Sequence, residues 1–233
     1  MNIAKKWVLG FGLSLLAGGT QAGLLIRSID VSMVETKFDS TRTRKSDESA
    51  FDRAIGKFDS AWANPNKRIC DMALQVFEGI SSHDSCDGPK NNIGTLFTIA
   101  GSVTAPTQLQ LGLDWGRGGF TMLTGAGLTA TLQRYKSDIW WHKSWDNVDV
   151  LNLFLPITTD FLLVGLGFEG CCDGFNSARW RSGGDAGPSG FAVGAEAPGD
   201  WQTLAVNVPE PGVAYLLGLG LAGFAYSRRT RRV

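Results

Sequence analysis

The feature that most constrains the fold is a strict two-residue alternation in "QLQLGLDWG", residues 108–116. Leu109, Leu111, Leu113 and Trp115 alternate with Gln108, Gln110, Gly112 and Asp114. Successive side chains on an extended chain point to opposite faces, so this pattern predicts a strand with one apolar and one polar face. "LFTIAGSV" repeats it through Phe97, Ile99, Gly101 and Val103. Further candidates are "GLTATLQRY", "DVLNLFLPI", "TDFLLVGLGFE", "SARWRS" and "WQTLAVNV". About seven short strands divided by Gly, Pro and Asp turns predict a mainly β chain folded as an antiparallel β-sandwich, jelly-roll-like by first choice and immunoglobulin-like otherwise.

Before Asn91 the period differs. In "SDESAFDRAIGKFDSAW" Phe51, Ile55, Phe58 and Trp62 form one helical stripe, with Ser46 as cap, Asp47 and Glu48 in the first turn, and Pro65 as terminator. A second stripe, Ile69, Ala73, Val76, Phe77 and Ile80, predicts a second helix ending near Gly79, and so an N-terminal helical hairpin. The expected organisation is a signal peptide over 1–22, a two-helix segment over 23–90, a β-sandwich over 91–207 and a C-terminal transmembrane segment over 208–233.

Both ends read as targeting signals. "MNIAKKWVLGFGLSLLAGGTQA" has two lysines, an apolar stretch and a small-residue end, the layout of a secretory signal peptide cut after Ala22. The tail carries Pro209, Glu210 and Pro211, then fifteen mostly apolar residues from Gly212 to Tyr226, then four arginines. Such a helix would span about 22 Å, and its arginines would remain cytoplasmic. Six of the 22 basic residues but only one of the 22 acids lie in these end segments. The remainder has 16 cations against 21 acids, five net negative. That balance argues against a nucleic-acid partner.

The tail resembles the PEP-CTERM sorting signal of exported bacterial proteins: Val208, Pro209, Glu210 and Pro211 match the motif, and Arg228, Arg229, Arg231 and Arg232 the basic cluster. The resemblance implies processing by an exosortase-type enzyme at the inner membrane, in bacteria that make an exopolysaccharide matrix. Within the strand-rich region, "DWGRGGF" (114–120), "DIWWHKSW" (138–145) and "GFEGCCDGF" (167–175) recur in the order of the CCXG family of such proteins. Asp114, Gly116, Arg117 and Gly118 match the first element, Trp140, Trp141 and Trp145 the second, and Glu169, Cys171, Cys172 and Gly174 the third. That likeness implies location and a sandwich fold, and no activity.

Read from the residues, Asp114 lies on the polar side of its strand. With Arg117 it could form an internal ion pair or hydrogen-bond sugar hydroxyls beside open glycine backbone. Trp140 and Trp141 are adjacent, so only one can face the core. With Trp145 they suit either core packing or a platform for a sugar ring. Glu169 and Asp173 flank the cysteine pair and complete the candidate ligand set of Asp114, Arg117, Trp140, Trp141, Trp145, Glu169 and Asp173. Calcium ligation by Asp84, Asp87, Asn91 and Asn92, or by Glu169 and Asp173, lacks EF-hand spacing. With two histidines in all and no GxSxG or HExxH, the sequence indicates no metal, no cofactor and no catalysis.

Four cysteines in an exported chain permit three pairings. Opposite-facing side chains at Cys171 and Cys172 would reach Cys70 and Cys86 separately, whereas a tight glycine-flanked turn favours a ring between neighbours. The family resemblance, resting on a name pair that need not accompany the other two, adds weight to Cys70–Cys86 with Cys171–Cys172. Together these readings describe an exported cell-surface or matrix protein, membrane-anchored before processing, non-catalytic and binding exopolysaccharide. The alternatives are a purely structural surface protein and a secreted glycoside hydrolase.

Overall fold

The computed structural model describes residues 23–36, 48–125, 129–155, 159–183 and 200–207, of which 48–50 and 129–138 as backbone alone. The signal peptide, the sorting motif from Val208 to Pro211, the arginine cluster and the transmembrane stretch lie outside these residues, as does most of the glycine-rich excursion before Trp201. No helix among the described residues is long and apolar enough to cross a membrane.

Among the described residues, ten strands form two antiparallel sheets. They are β1 (Leu24–Glu35), β2 (Arg68–Ala73), β3 (Ile93–Val103), β4 (Thr107–Gly112), β5 (Asp114–Thr124), β6 (Thr129–Trp140), β7 (Leu151–Leu155), β8 (Thr159–Glu169), β9 (Ser177–Ser182) and β10 (Gln202–Thr203). The larger sheet runs β2-β1-β3-β8-β5-β6 and the smaller β10-β9-β4-β7. The chain passes repeatedly between them, β3, β5, β6 and β8 lying in one and β4, β7 and β9 in the other, so the two form an antiparallel β-sandwich.

The alternation that opened the sequence reading makes the corner between the sheets. "QLQLGLDWG" is two strands: β4 ends at Gly112 in the small sheet and β5 begins at Asp114 in the large one. Leu109, Leu111, Leu113 and Trp115 nevertheless all face the shared core, with Phe97, Ile99, Leu153, Phe161 and Leu163. The apolar face is continuous although the hydrogen-bonding partners change. Trp115 lies across a glycine pair in the large sheet, Gly118 of β5 opposite Gly167 of β8. A Cβ at Gly167 would sit 1.8 Å from the Trp115 ring and one at Gly118 2.1 Å from it. In "DWGRGGF" the indole therefore fills the space over Gly118, while Gly116 stays half-buried with no such cover.

One predicted helix is present and one is not. Helix α1 (Glu48–Trp62) buries Phe51, Ala54, Phe58 and Ala61 on Val34, Leu96, Leu166 and Phe168, the outer face of the large sheet. Ile55 and Trp62 border that patch, and the helix stops before Pro65. Residues 68–73 are strand β2, paired with β1, so the helical hairpin does not form. The reason is arithmetic. A spacing of four is even, so the interval from Ile69 to Ala73 suits a strand as well as a helix; in β2 itself Ile69 lies at a register shift and packs on the core with Cys70 and Met72, and Ala73 is exposed. Phe77 and Ile80 then reach across to the small sheet, where Ala178 N–H donates to the Phe77 carbonyl and Ile80 bridges Asn176.

The division at residue 90 also gives way. β1 sits between β2 and β3 in the same sheet, so 23–90 and 91–207 share one sandwich. β1 escapes alternation because a bulge between Ile26 and Ser28 changes the phase: Leu24 and Ile26 face the core, and so do Ile29, Val31 and Met33. A five-residue helix, α2 (Ser82–Cys86), follows Ile80.

Close packing at the glycine pair yields the first prediction. Gly167→Ala forces Trp115 to move, and overpacking of this kind costs about 1–3 kcal/mol. Urea unfolding should show the loss, with far-UV circular dichroism unchanged in the remaining native state.

Candidate functional site

The cysteine-pair turn, the tryptophan segment and the β4–β5 corner meet at one end of the sandwich. β6 enters this end at Trp140, opposite Asp114 of β5, and β8 leaves it at Glu169, opposite Ile93 of β3. Trp141 N–H donates to the Leu113 carbonyl, which fixes the tryptophan segment to the corner.

Both disulfides of the expected pairing are present, Cys70–Cys86 and Cys171–Cys172. The first ties β2 to α2. The second closes a ring within an exposed turn whose next residues carry unusual backbone: φ is 78° at Cys172 and 48° at Asp173. Left-handed non-glycine residues in succession need outside support. Asp173 supplies it by facing inward. Its Oδ1 accepts from Ser82 N–H at 2.7 Å and its Oδ2 from His83 N–H at 2.6 Å, so it caps the start of α2. At 6% exposed, with both oxygens engaged, Asp173 leaves the candidate ligand set.

Glu169 anchors the other side of the turn. Its carboxylate accepts from Cys171 N–H at 2.9 Å and Gly116 N–H at 3.2 Å. Burial pushes this carboxyl above its ordinary value, the charge of Asp114 adds to the rise, and N–H donation from Cys171, Gly170 and Gly116 opposes it. Gly174 lies directly on Asp114: a Cβ there would come 2.4 Å from that of Asp114. The glycine of the Cys-Cys-x-Gly turn is thus the contact that draws Asp114 to the turn.

Arg117 is not at this surface. It is 3% exposed and stands opposite Phe168, on the sheet face covered by α1. Its place in the ligand set is corrected accordingly.

The tryptophans divide as their adjacency requires. Trp141 is 5% exposed and covers Gly112, where a Cβ would lie 2.3 Å from the ring. Trp140 is 56% exposed and meets His142 edge-on, centroids 4.9 Å apart. Trp145 is half-buried, 4.7 Å from Trp141. His142 and Lys143 follow with φ of 52° and 56°, a second left-handed pair that turns the chain sharply. The turn opens a cleft of about 280 Å³ lined by Asp114, Trp141, His142, Lys143 and Phe175. Lys143 Nζ lies 3.4 Å from the Phe175 ring centroid. Aromatic walls with one carboxylate, one ammonium and one imidazole suit a hydroxyl-rich ligand, in a volume near the roughly 300 Å³ lower end for small-molecule pockets.

Lys143 and Phe175 were not among the expected site residues. Both adjoin motifs that were, Phe175 closing "GFEGCCDGF" and Lys143 lying within "DIWWHKSW". Only the turn geometry shows that they meet. Asp84 lies in the first turn of α2, its N–H donating to Ser81 Oγ, and Asp87 is the left-handed C-cap of that helix. No group of three or more His, Cys, Asp or Glu among the described residues could hold a metal ion.

No family model and no curated protein matches the chain. Solved structures similar to it include the PA14 sugar-binding domain from RTX adhesin, 6% identical, covering 67% of this chain and 90% of that one. The PA14 domain of the MpAFP antifreeze protein is 10% identical and covers 76% and 92%. The Epithelial Adhesin 6 A domain from Candida glabrata, in complex with Galb1-3GlcNAc, is 9% identical and covers 83% and 98%. Each has a TM-score of 0.36.

Two predictions follow from the turn. Asp173→Ala removes both acceptors at the α2 start and costs about 1–2 kcal/mol, with faster amide exchange at Ser82 and His83. Glu169 titrates above its ordinary 4.5. Its folded form therefore holds a proton that the unfolded chain releases, and its contribution to stability falls as pH rises from 4.5 through the folded value. Asp114→Asn should lower the Glu169 midpoint in a carboxyl NMR titration; an unchanged or higher midpoint would contradict the coupling.

Proposed function

We propose that this chain is an exported, non-catalytic surface or matrix protein that binds exopolysaccharide at the turn end of its sandwich. The observation that carries the reading is the open cleft beside Trp140, in which aromatic walls converge with Asp114, His142 and Lys143. A sugar ring offers C–H groups to an aromatic face and hydroxyls to a carboxylate, and this cleft supplies both partners within one ring's reach. Trp140, solvent-facing on β6, provides the stacking surface, and Asp114 the acceptor.

The non-catalytic part of the reading rests on how the acids are used. Glycoside cleavage needs two carboxyl groups aimed at one bond. Asp114 and Glu169 are neighbours, but both Glu169 oxygens accept backbone N–H groups of its own turn and strand. Glu169 is thereby held in its own turn, and Asp114 is the carboxylate that lines the cleft.

Export and sorting rest on the two end segments, with the exosortase-type enzyme and the inner membrane as partners during processing and no nucleic acid afterwards. The two disulfides support an oxidising destination. Mass mapping of the mature protein should find Gly23 at its N-terminus and a shortened C-terminus near Pro209; a mature chain retaining both ends would overturn this part.

Binding is tested by affinity electrophoresis through the exopolysaccharide of the producing cells. The wild type should be retarded. Trp140→Ala should bind several-fold more weakly, on the scale of the roughly 0.5–1.5 kcal/mol of an aromatic contact, with unchanged thermal stability because the ring is exposed. Equal retardation of the two proteins would contradict the cleft assignment.

A further inference from the structure

The outer face of the small sheet carries an ordered array that the cleft does not use. Along β9, Arg179 and Arg181 face outward while Ala178 and Trp180 face the core. In register with them on β4 stand Gln110 and Gln108, and opposite Gln110 on β7 stands Asn152. Arg179 Nε donates to Gln110 Oε1 at 2.7 Å, and Gln110 Nε2 in turn donates to Asn152 Oδ1. Arg181 Nε donates to Gln108 Oε1, also at 2.7 Å. Each guanidinium plane is thereby fixed in orientation.

Two indoles interleave with the arginines. The Arg179 guanidinium lies 4.4 Å from the centroids of both Trp145 and Trp201, and that of Arg181 lies 4.5 Å from Trp201. The order is Trp145, Arg179, Trp201, Arg181, each contact within the roughly 6 Å range of cation–π attraction. Trp145 also touches Trp141, so the array continues directly from the cleft.

This arrangement selects a ligand class. The guanidinium groups lie over the indole rings, which makes the array a surface of fixed positive charge, whereas Trp140, opposite Asp114, is an exposed ring bordering the cleft. A rigid guanidinium fork matches a carboxylate in two parallel hydrogen bonds. Two residues along a strand separate the arginine positions by roughly 7 Å. Asp146 acts electrostatically on Arg179, and the two guanidinium groups stand together on a domain that is five net negative between the two end segments.

We infer that the outer face of the small sheet, through Arg179 and Arg181, binds a carboxylate-bearing polysaccharide and so extends the cleft into a site for an acidic glycan. The inference rests on the glycan-binding reading and adds the chemical class of the ligand. The cleft holds one ring by stacking, and the array grips carboxylates farther along the same chain.

Affinity electrophoresis with alginate as the acidic polymer, dextran as the neutral one and duplex DNA as a second polyanion tests it. Expected are retention on alginate that weakens as salt rises, an approximately tenfold loss in Arg181→Gln, and only partial recovery in Arg181→Lys, which keeps the charge but not the fork. Arg181→Gln should keep the wild-type melting temperature within a few degrees; Arg179→Gln, flanked by two indoles, serves as the second variant if it does not. Dextran bound as well as alginate, with no effect of either arginine variant, would overturn the acidic-glycan assignment and leave the cleft reading standing. DNA bound as tightly as alginate would overturn the carboxylate class. Retention of no polysaccharide at all would sink both readings.

Discussion

The structure depends on one tight contact, the Trp115 indole lying across Gly118 and Gly167 in the large sheet. Trp115 is the second residue of β5, immediately after the chain has crossed from the small sheet. Its burial pins the crossing, and the pinned crossing sets Leu113, Asp114 and the partner carbonyl for Trp141. No larger residue fits beneath the ring, so the glycines of "DWGRGGF" and "VGLGFE" serve packing before they serve flexibility. Everything at the functional end, the tryptophan turn and the cysteine-pair turn alike, is hung from this corner.

The two turns are held by complementary devices. At these two turns the left-handed residues come as adjacent pairs, His142 with Lys143 and Cys172 with Asp173. Each pair reverses the chain within a few residues, and each is stabilised from a distance: Lys143 sits over Phe175 of the facing turn, while Asp173 caps α2, itself tied to β2 by Cys70–Cys86. The vicinal ring of Cys171 and Cys172 removes freedom from the one part of the turn that faces solvent. Its role is to fix where Glu169 and Asp173 point: Glu169 along the cleft wall, Asp173 inward to the helix.

Much of the sandwich was legible because alternation is a local signal. β7, β8, β9 and β10 fall within segments that the pattern marked and β3, β4 and β6 largely overlap them, whereas β5 was marked only at its start, over 114–116. Where phase breaks, the signal fails, and the bulge between Ile26 and Ser28 hid β1 in this way. β2 was misread because spacings of four suit both periods, and the deciding factor, the free edge of β1, lies far away in sequence. At the site, the sequence identified the segments but not the division of labour. Adjacency required that only one of Trp140 and Trp141 face the core. Nothing local showed that Arg117 faces α1, that Asp173 caps a helix 90 residues upstream, or that Arg179 lies between Trp145 and Trp201. The paired polar residues in "QLQLG" and "RWR" did mark two outer faces, but their matching register is a property of the fold alone.

The central claim is that glycan meets the turn end and not the sheet interior, and the tryptophans report on this one by one. The most direct measurement is an indole N–H NMR titration of the protein with exopolysaccharide fragments. The account predicts shifts at Trp140 first, then at Trp145 and Trp201, with Trp115 and Trp180 unmoved because both are buried between the sheets. Shifts confined to other indoles, or none at saturating fragment, would contradict it.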